Sequence, residues 1–159
     1  MRRRQLAALA CLLPVLPARA APAAAGVVLS LAGAPGGPRE WTLEELEALG
    51  MAQLVTVTPW TRSPQRYSGV PLLRLMQAVA APPQASLRAE ALNRYAVEVP
   101  AQDVWHSGAM LATRLDGEPM RVRDRGPIWL IYPWTYRPEL DRPDVNERSI
   151  WQLRRIELR

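Results

Sequence analysis

The 159-residue chain carries twenty Arg and no Lys against fifteen acidic residues, with one His, one Cys and no Phe. That length suits one domain, and a composition 48% hydrophobic and 22% charged excludes a disordered or collagen-like chain. The formal charge of +5 points to an acidic partner only until it is located. Four Arg and no acid fall in the first twenty residues, and the rest holds sixteen Arg against fifteen acids, a net +1. Nucleic-acid binding through a cationic face therefore loses its main support.

Residues 1–20 follow the secretory pattern: Arg2-Arg3-Arg4, an apolar stretch from Leu6 to Leu16, then Ala18-Arg19-Ala20 before Ala21. The stretch is well short of the ~20 residues that span a bilayer, and Pro14 and Pro17 interrupt it. Lipid attachment at Cys11, which follows Ala10, is the alternative processing. Cleavage after Ala20 removes the only Cys. The expected product is a periplasmic protein, with an Ala/Pro spacer at 21–25 and one domain over 26–159, free of disulfide and thiolate.

Val27 to Leu31 reads as a strand, Gly33-Ala34-Pro35-Gly36-Gly37 as a turn, and Arg39 to Trp41 as the hairpin partner. Thr42-Leu43-Glu44-Glu45 is a capping box opening a short helix with Leu43, Leu46 and Leu49 inward. Gln53 to Thr58 alternates as a strand, with Leu54, Thr56 and Thr58 on one face, and Pro59 to Gly69 reads as a loop. Pro71 starts an amphipathic helix that Pro82-Pro83 ends. Leu87 to Leu92 is ambiguous, Tyr95 to Val99 is a strand, and Pro100 to Trp105 a helical turn. Gly108 to Leu115 is a strand turned back at Asp116-Gly117 into Met120 to Arg123. Ile128 to Tyr132 is a buried strand, Pro133 to Ser149 a long polar loop, and Ile150 to Leu158 the last strand. Such a mix, without regular βα alternation, predicts an α+β fold.

Familiar catalytic groupings are missing. His106 is the only histidine, so a multi-His metal site is unavailable. Ser107 follows it without a GxSxG, and neither GxGxxG nor a Walker loop occurs. Asp141 and Asp144 with Arg137, Arg142 and Arg148 read as a solvated ion-pair loop. Aromatic and Arg residues at loop positions stand out instead: Trp60 and Arg62, Trp105 beside His106, Arg123 and Arg125, Trp134 and Tyr136. Rings beside guanidinium forks hold a flat polar heterocycle by stacking and directed hydrogen bonds. A chain without Phe also needs Trp in its core, and Trp41, Trp129 and Trp151 are assigned there.

Five segments, in order, resemble the sulfite-oxidase-type molybdopterin-binding family. They are Tyr67-Ser68-Gly69-Val70-Pro71-Leu72-Leu73-Arg74-Leu75, Asn93 to Pro100, Leu111 to Met120, Arg125 to Pro133, and Trp151 to Leu158. The resemblance covers about residues 52–158 and implies that family's α+β fold, a mixed sheet whose loops hold a pterin. In its enzymes a Cys ending the strand before a Trp-containing loop ligates molybdenum. Setting Trp60 on that Trp puts Thr56 at the Cys position, and Thr supplies no soft thiolate.

A small, exported, Cys-free member resembles the periplasmic pterin-binding proteins of the family. That implies a non-catalytic sensor of a reduced pterin, of the tetrahydropterin type, with no metal. The implied partner is the periplasmic domain of a membrane-bound diguanylate cyclase or phosphodiesterase, through which cyclic-di-GMP signalling is regulated. On this resemblance Trp60 stacks on the ring, and Asp103 either accepts from the 2-amino group and ring N–H or serves the N-terminus of its helical turn. Arg62, Arg125 and Tyr132 contact the ring carbonyl or side chain, and Trp134 belongs to the rim. A molybdopterin-dependent oxidoreductase or accessory component, and a ligand-free interaction module, are the alternatives.

Overall fold

The computed structural model describes residues 26–159, so the expected leader, Cys11 and the spacer lie outside the described residues. Gly33 to Gly37 turns strand β1 (Val27–Ala32) back onto β2 (Arg39–Thr42), as the turn residues predict. Helix α1 (Leu43–Ala48) opens on the expected box: Thr42 Oγ1 accepts from Glu45 N at 3.2 Å, and Glu45 accepts from Thr42 N at 2.9 Å. Strand β3 (Ala52–Thr56) buries Leu54 and Thr56 and exposes Val55, the predicted alternation.

Part of the expected loop is instead strand β4 (Gln65–Pro71). Its Gln, Arg, Ser and Gly conceal the apolar pattern, and a close approach explains the glycine. A Cβ at Gly69 would lie 2.0 Å from the Leu111 carbonyl oxygen and 2.7 Å from Ala112 Cα. Helix α2 (Leu72–Ala78), strands β5 (Leu87–Ala91) and β6 (Ala96–Val99), helix α3 (Ala101–His106) and strand β7 (Met110–Leu115) follow. The predicted return strand at Met120 is not formed. Strand β8 is only Glu118–Pro119, since Pro119 lacks the N–H to extend pairing, and a 3₁₀ turn at Val122–Asp124 replaces the rest.

Strand β9 (Trp129–Ile131) is buried at every residue. The segment expected to be loop contains a 3₁₀ turn at Pro138–Leu140 and helix α4 (Pro143–Arg148), which has Pro143 in its first turn, Asp144 at its N-terminal end and Arg148 at its C-terminal end. Strand β10 (Leu153–Leu158) starts later than expected, after a left-handed Gln152 at φ 52°.

The strands form two mixed or antiparallel sheets, ordered β2-β1-β10-β5-β6 and β3-β4-β7-β8, with β9 also on β7. Only β1 with β10 is parallel. Their apolar faces share one core in which Leu31 and Ile156 of the first sheet join Val70, Leu111 and Leu130 of the second.

One ion pair ties α1 to β7. Glu47 accepts from Arg114 Nε at 2.9 Å and Nη2 at 2.8 Å, and from the Thr113 hydroxyl at 2.7 Å. Burial pushes the Glu47 carboxyl up, but the Arg114 and Thr113 hydrogen bonds outweigh it and hold the group below the ordinary carboxylate range. Its stabilisation is therefore complete above the unfolded value and is lost as pH falls through the lower folded one. Glu47→Ala should cost ~1–3 kcal/mol at neutral pH, less than a fully buried pair because Arg114 stays partly in water. Urea midpoints of the two proteins should converge in acid.

Candidate ligand-binding site

The turn Thr58-Pro59-Trp60-Thr61 presents the first aromatic. Thr61 N donates to Thr58 O at 3.0 Å, Thr58 N to Thr61 Oγ1 at 2.9 Å, and Trp60 N to Thr58 Oγ1 at 3.3 Å. Proline at the second position of this turn presets the backbone, so Trp60 is held on a stiff support. Its indole meets three others: Trp151 at 5.4 Å and 85°, Trp129 at 5.8 Å and 57°, and Trp134 at 6.3 Å and 83°. Trp129 and Trp134 are buried, whereas Trp60 and Trp151 are each 38% exposed. The core assignment thus holds for Trp41 and Trp129 and is corrected for Trp151, which follows Ile150 out of the core and ends beside the Trp60 ring.

Two hollows share Trp60, Trp151 and Gln152. The larger, of about 690 Å³, is bounded by Arg62, Arg123, Asp124 and Arg125. The smaller, of about 270 Å³, is bounded by Asn93, Tyr95, Asn146, Glu147 and Ser149. Together they form a groove with a cationic lobe and a largely uncharged one. The Arg125 guanidinium carbon lies 4.7 Å from the Trp151 ring centroid and 4.8 Å from that of Trp129. Its backbone is left-handed at φ 73°, and its carbonyl accepts from the equally left-handed Gln152 at 2.9 Å. Two non-glycine residues in that region, bonded to each other at a cleft, mark stored strain of the kind that gathers at binding sites. Among the described residues neither Arg62 nor Arg125 has a carboxylate partner.

Of the six candidate residues, Trp60, Arg62 and Arg125 meet in this groove. Asp103 and Tyr132 do not reach it. Asp103 is 5% exposed, and its Oδ2 accepts from Tyr132 OH at 3.1 Å and Arg148 Nη1 at 2.9 Å. The expected edge acceptor is thus engaged inside the protein, joining α3 to α4 and to the residue after β9. Burial first, then the Asp103 charge, drives the Tyr132 hydroxyl far up, so it stays a neutral donor. Trp134 is buried against Tyr132 and donates to Asn146 Oδ1 at 3.2 Å, which makes it a support for the groove and not its rim. Sequence reasoning missed Trp151, Asn93 and Glu147. An aromatic inside the strand expected over Ile150 to Leu158 was assigned to the core, and the signal for α4, proline followed by Asp144 and ending on Arg148, lay unread inside the polar segment.

Residues 20–138 match the family model described as oxidoreductase molybdopterin binding domain. The chain belongs to that family. Among solved structures it is similar to the sulfane dehydrogenase SoxCD from Paracoccus pantotrophus, at 21% identity and a TM-score of 0.60. The match covers 82% of this chain and 37% of the SoxCD chain, so this chain spans well under half of that relative. The likeness establishes the fold, and it is the α+β fold that the five segments imply. No curated protein sequence matches the chain.

The molybdopterin that the family implies needs donors of matching chemistry. Thr56 is fully buried at the end of β3. Its hydroxyl accepts from Thr135 N at 3.1 Å and stands 3.1 Å from Val57 O and 3.3 Å from Thr135 Oγ1, while Thr135 Oγ1 accepts from Val57 N at 2.9 Å. A neutral alcohol saturated in this way offers no thiolate to a soft metal. Among the described residues there is no cluster of three His, Cys, Asp or Glu side chains either. The donor set does not fit thiolate-ligated molybdenum. Indoles and guanidinium groups line the groove in its place.

Thr56→Val should leave the Thr135 N–H without its acceptor and cost ~1–3 kcal/mol. Faster hydrogen exchange at the Thr135 amide, with the rest of the protein unchanged, is the localised signature. Asp103→Ala should cost ~3 kcal/mol by leaving Arg148 short of its buried partner, whereas Tyr132→Phe should cost only ~1 kcal/mol. Chemical denaturation of the two variants checks that order.

Proposed function

We propose that this chain is a non-catalytic pterin-binding protein, exported to the periplasm, that takes a reduced pterin in the Trp60–Trp151 groove. The observation that carries the proposal is the pairing of two features. Thr56, which the motif resemblance sets at the family's Cys position, is locked to Thr135, while two half-exposed indoles and two Arg without a carboxylate partner among the described residues line an open groove. A pterin is a flat ring system with a donor–acceptor edge, and such ligands are held by stacking plus a few directed polar groups.

Regulation follows from linkage. A ligand that favours one arrangement of the groove loops favours whichever partner binds that arrangement. The motif resemblance supports a membrane-bound cyclic-di-GMP synthase or hydrolase as that partner, and the signal-peptide pattern of residues 1–20 agrees with a periplasmic meeting place. A second reading, an oxidoreductase component that retains molybdopterin without a Cys ligand, is favoured by family membership.

Anaerobic purification from the full-length gene, denaturation, and mass spectrometry with metal analysis separate these readings. A near-stoichiometric pterin without molybdenum is expected, and stoichiometric molybdenum would overturn the proposal. Trp60→Ala should remain folded and bind tetrahydropterin about tenfold more weakly or worse, the usual scale for losing one aromatic stacking partner. Unchanged affinity, read by calorimetry, removes Trp60 from the site.

A further inference from the structure

The smaller lobe of the groove is lined by many polar groups, but most are already committed. Ser149 Oγ accepts from Trp129 Nε1 at 2.9 Å and donates to Leu130 O at 2.7 Å. Asn146 accepts from Trp134 and donates to Asp141 Oδ1 at 3.0 Å, so both ends of its amide are taken. Tyr95 OH donates to the Glu147 carbonyl at 3.2 Å. Two groups remain. The Glu147 carboxylate has no hydrogen-bond or ion-pair partner among the described residues, and it sits in the last turn of α4. Asn93 gives its Oδ1 to Tyr95 N at 3.0 Å, which orients the amide and leaves its NH₂ free.

We infer that Glu147 is the residue that selects the ligand, by accepting from the 2-amino and ring N–H groups of a 2-amino-4-oxo heterocycle whose ring rests on the Trp60–Trp151 pair. This rests on the pterin reading and deepens it. A carboxylate offers two acceptors side by side, the complement of an amino group next to a ring N–H. The free amide donor of Asn93, on the same lobe, complements the neighbouring 4-oxo group. The Tyr95–Glu147 bond joins the two carriers, so acceptor and donor are held by one clasp. The substituent beyond the ring is then left toward the lobe bounded by Arg62, Arg123 and Arg125. Glu147 thereby has the role the motif reading gave to Asp103, whose carboxylate is committed to Tyr132 and Arg148.

The selection can be read with two probes that differ at one position. Tetrahydropterin has the 2-amino group, and tetrahydrolumazine has an oxygen there, which would face the carboxylate with a repelling lone pair. Sites that hydrogen-bond a particular group reject the analogue lacking it strongly. Under anaerobic conditions, calorimetry on the exported protein should give at least a tenfold preference for tetrahydropterin. Glu147→Gln should abolish most of that preference without changing thermal stability, because the side chain is exposed and has no partner among the described residues. Asn93→Ala should weaken both probes by a similar factor and keep the preference, since both carry the 4-oxo group. Tetrahydropterin bound with the preference intact in Glu147→Gln would overturn the assignment and leave the pterin reading standing. Neither probe bound by the wild-type protein would overturn both.

Discussion

The groove is built around the buried indole of Trp129. The side chain is 1% exposed on a three-residue strand and touches Tyr67, Trp60, Trp151 and the Arg125 guanidinium. A buried indole needs an acceptor for its N–H, and Ser149 supplies one while handing its own proton to Leu130. That chain of two bonds brings the end of α4 back onto β9. The floor of the groove, one wall and the strand beneath are therefore set together. Burial also pushes the Tyr67 hydroxyl up to about 12, so the ring edge-on to Trp129 stays neutral over the physiological range.

Using tryptophan where phenylalanine would serve has consequences beyond volume. Each buried indole brings a donor that must be satisfied. Trp129 meets Ser149, Trp134 meets Asn146 and the half-buried Trp105 meets the Ala85 carbonyl at 3.2 Å. These bonds fasten loops and short helices that have little stability of their own. Trp60 and Trp151 differ: their N–H groups find no acceptor among the described residues and their rings are partly exposed. Around the groove, supporting and groove-facing indoles thus differ in hydrogen bonding as well as in exposure, whereas Trp41, away from the groove, is buried with no indole acceptor among the described residues.

Much of this was legible in the sequence. The capping box at Thr42, the Leu54–Thr56 alternation and the apolar run through Trp129 each produced the element their spacing predicts, because each signal is local. The motif order implied the fold, and Trp60, Arg62 and Arg125 converge in one groove. What could not be read depended on distant contacts. Strand β4 exists because Gly69 lets β7 come close, and no period in Gln65 to Gly69 announces that. Trp151 and Leu153 lie two residues apart, yet a left-handed Gln152 between them turns one toward the groove and the other into the core. Asp103 has the chemistry of a pterin acceptor, and only the fold shows Arg148 beside it.

The geometry of the groove finally depends on α4. A helix of six residues does not persist by its own propensity. Its place is fixed from outside: Arg148 to Asp103, Asn146 to Trp134 and Asp141, the Glu147 carbonyl to Tyr95, and Ser149 to Trp129. Burial would lower the Arg148 pKa, but the Asp103 and Asp144 carboxylates more than offset it, so the cation is retained. A buried pair of this kind contributes little net stability compared with an apolar contact, and its value lies in fixing geometry. Here it sets the orientation of the turn that carries Glu147. That turn is thus anchored in α3 through the Arg148–Asp103 pair, and its placement is decided by contacts outside the helix rather than by the helix itself.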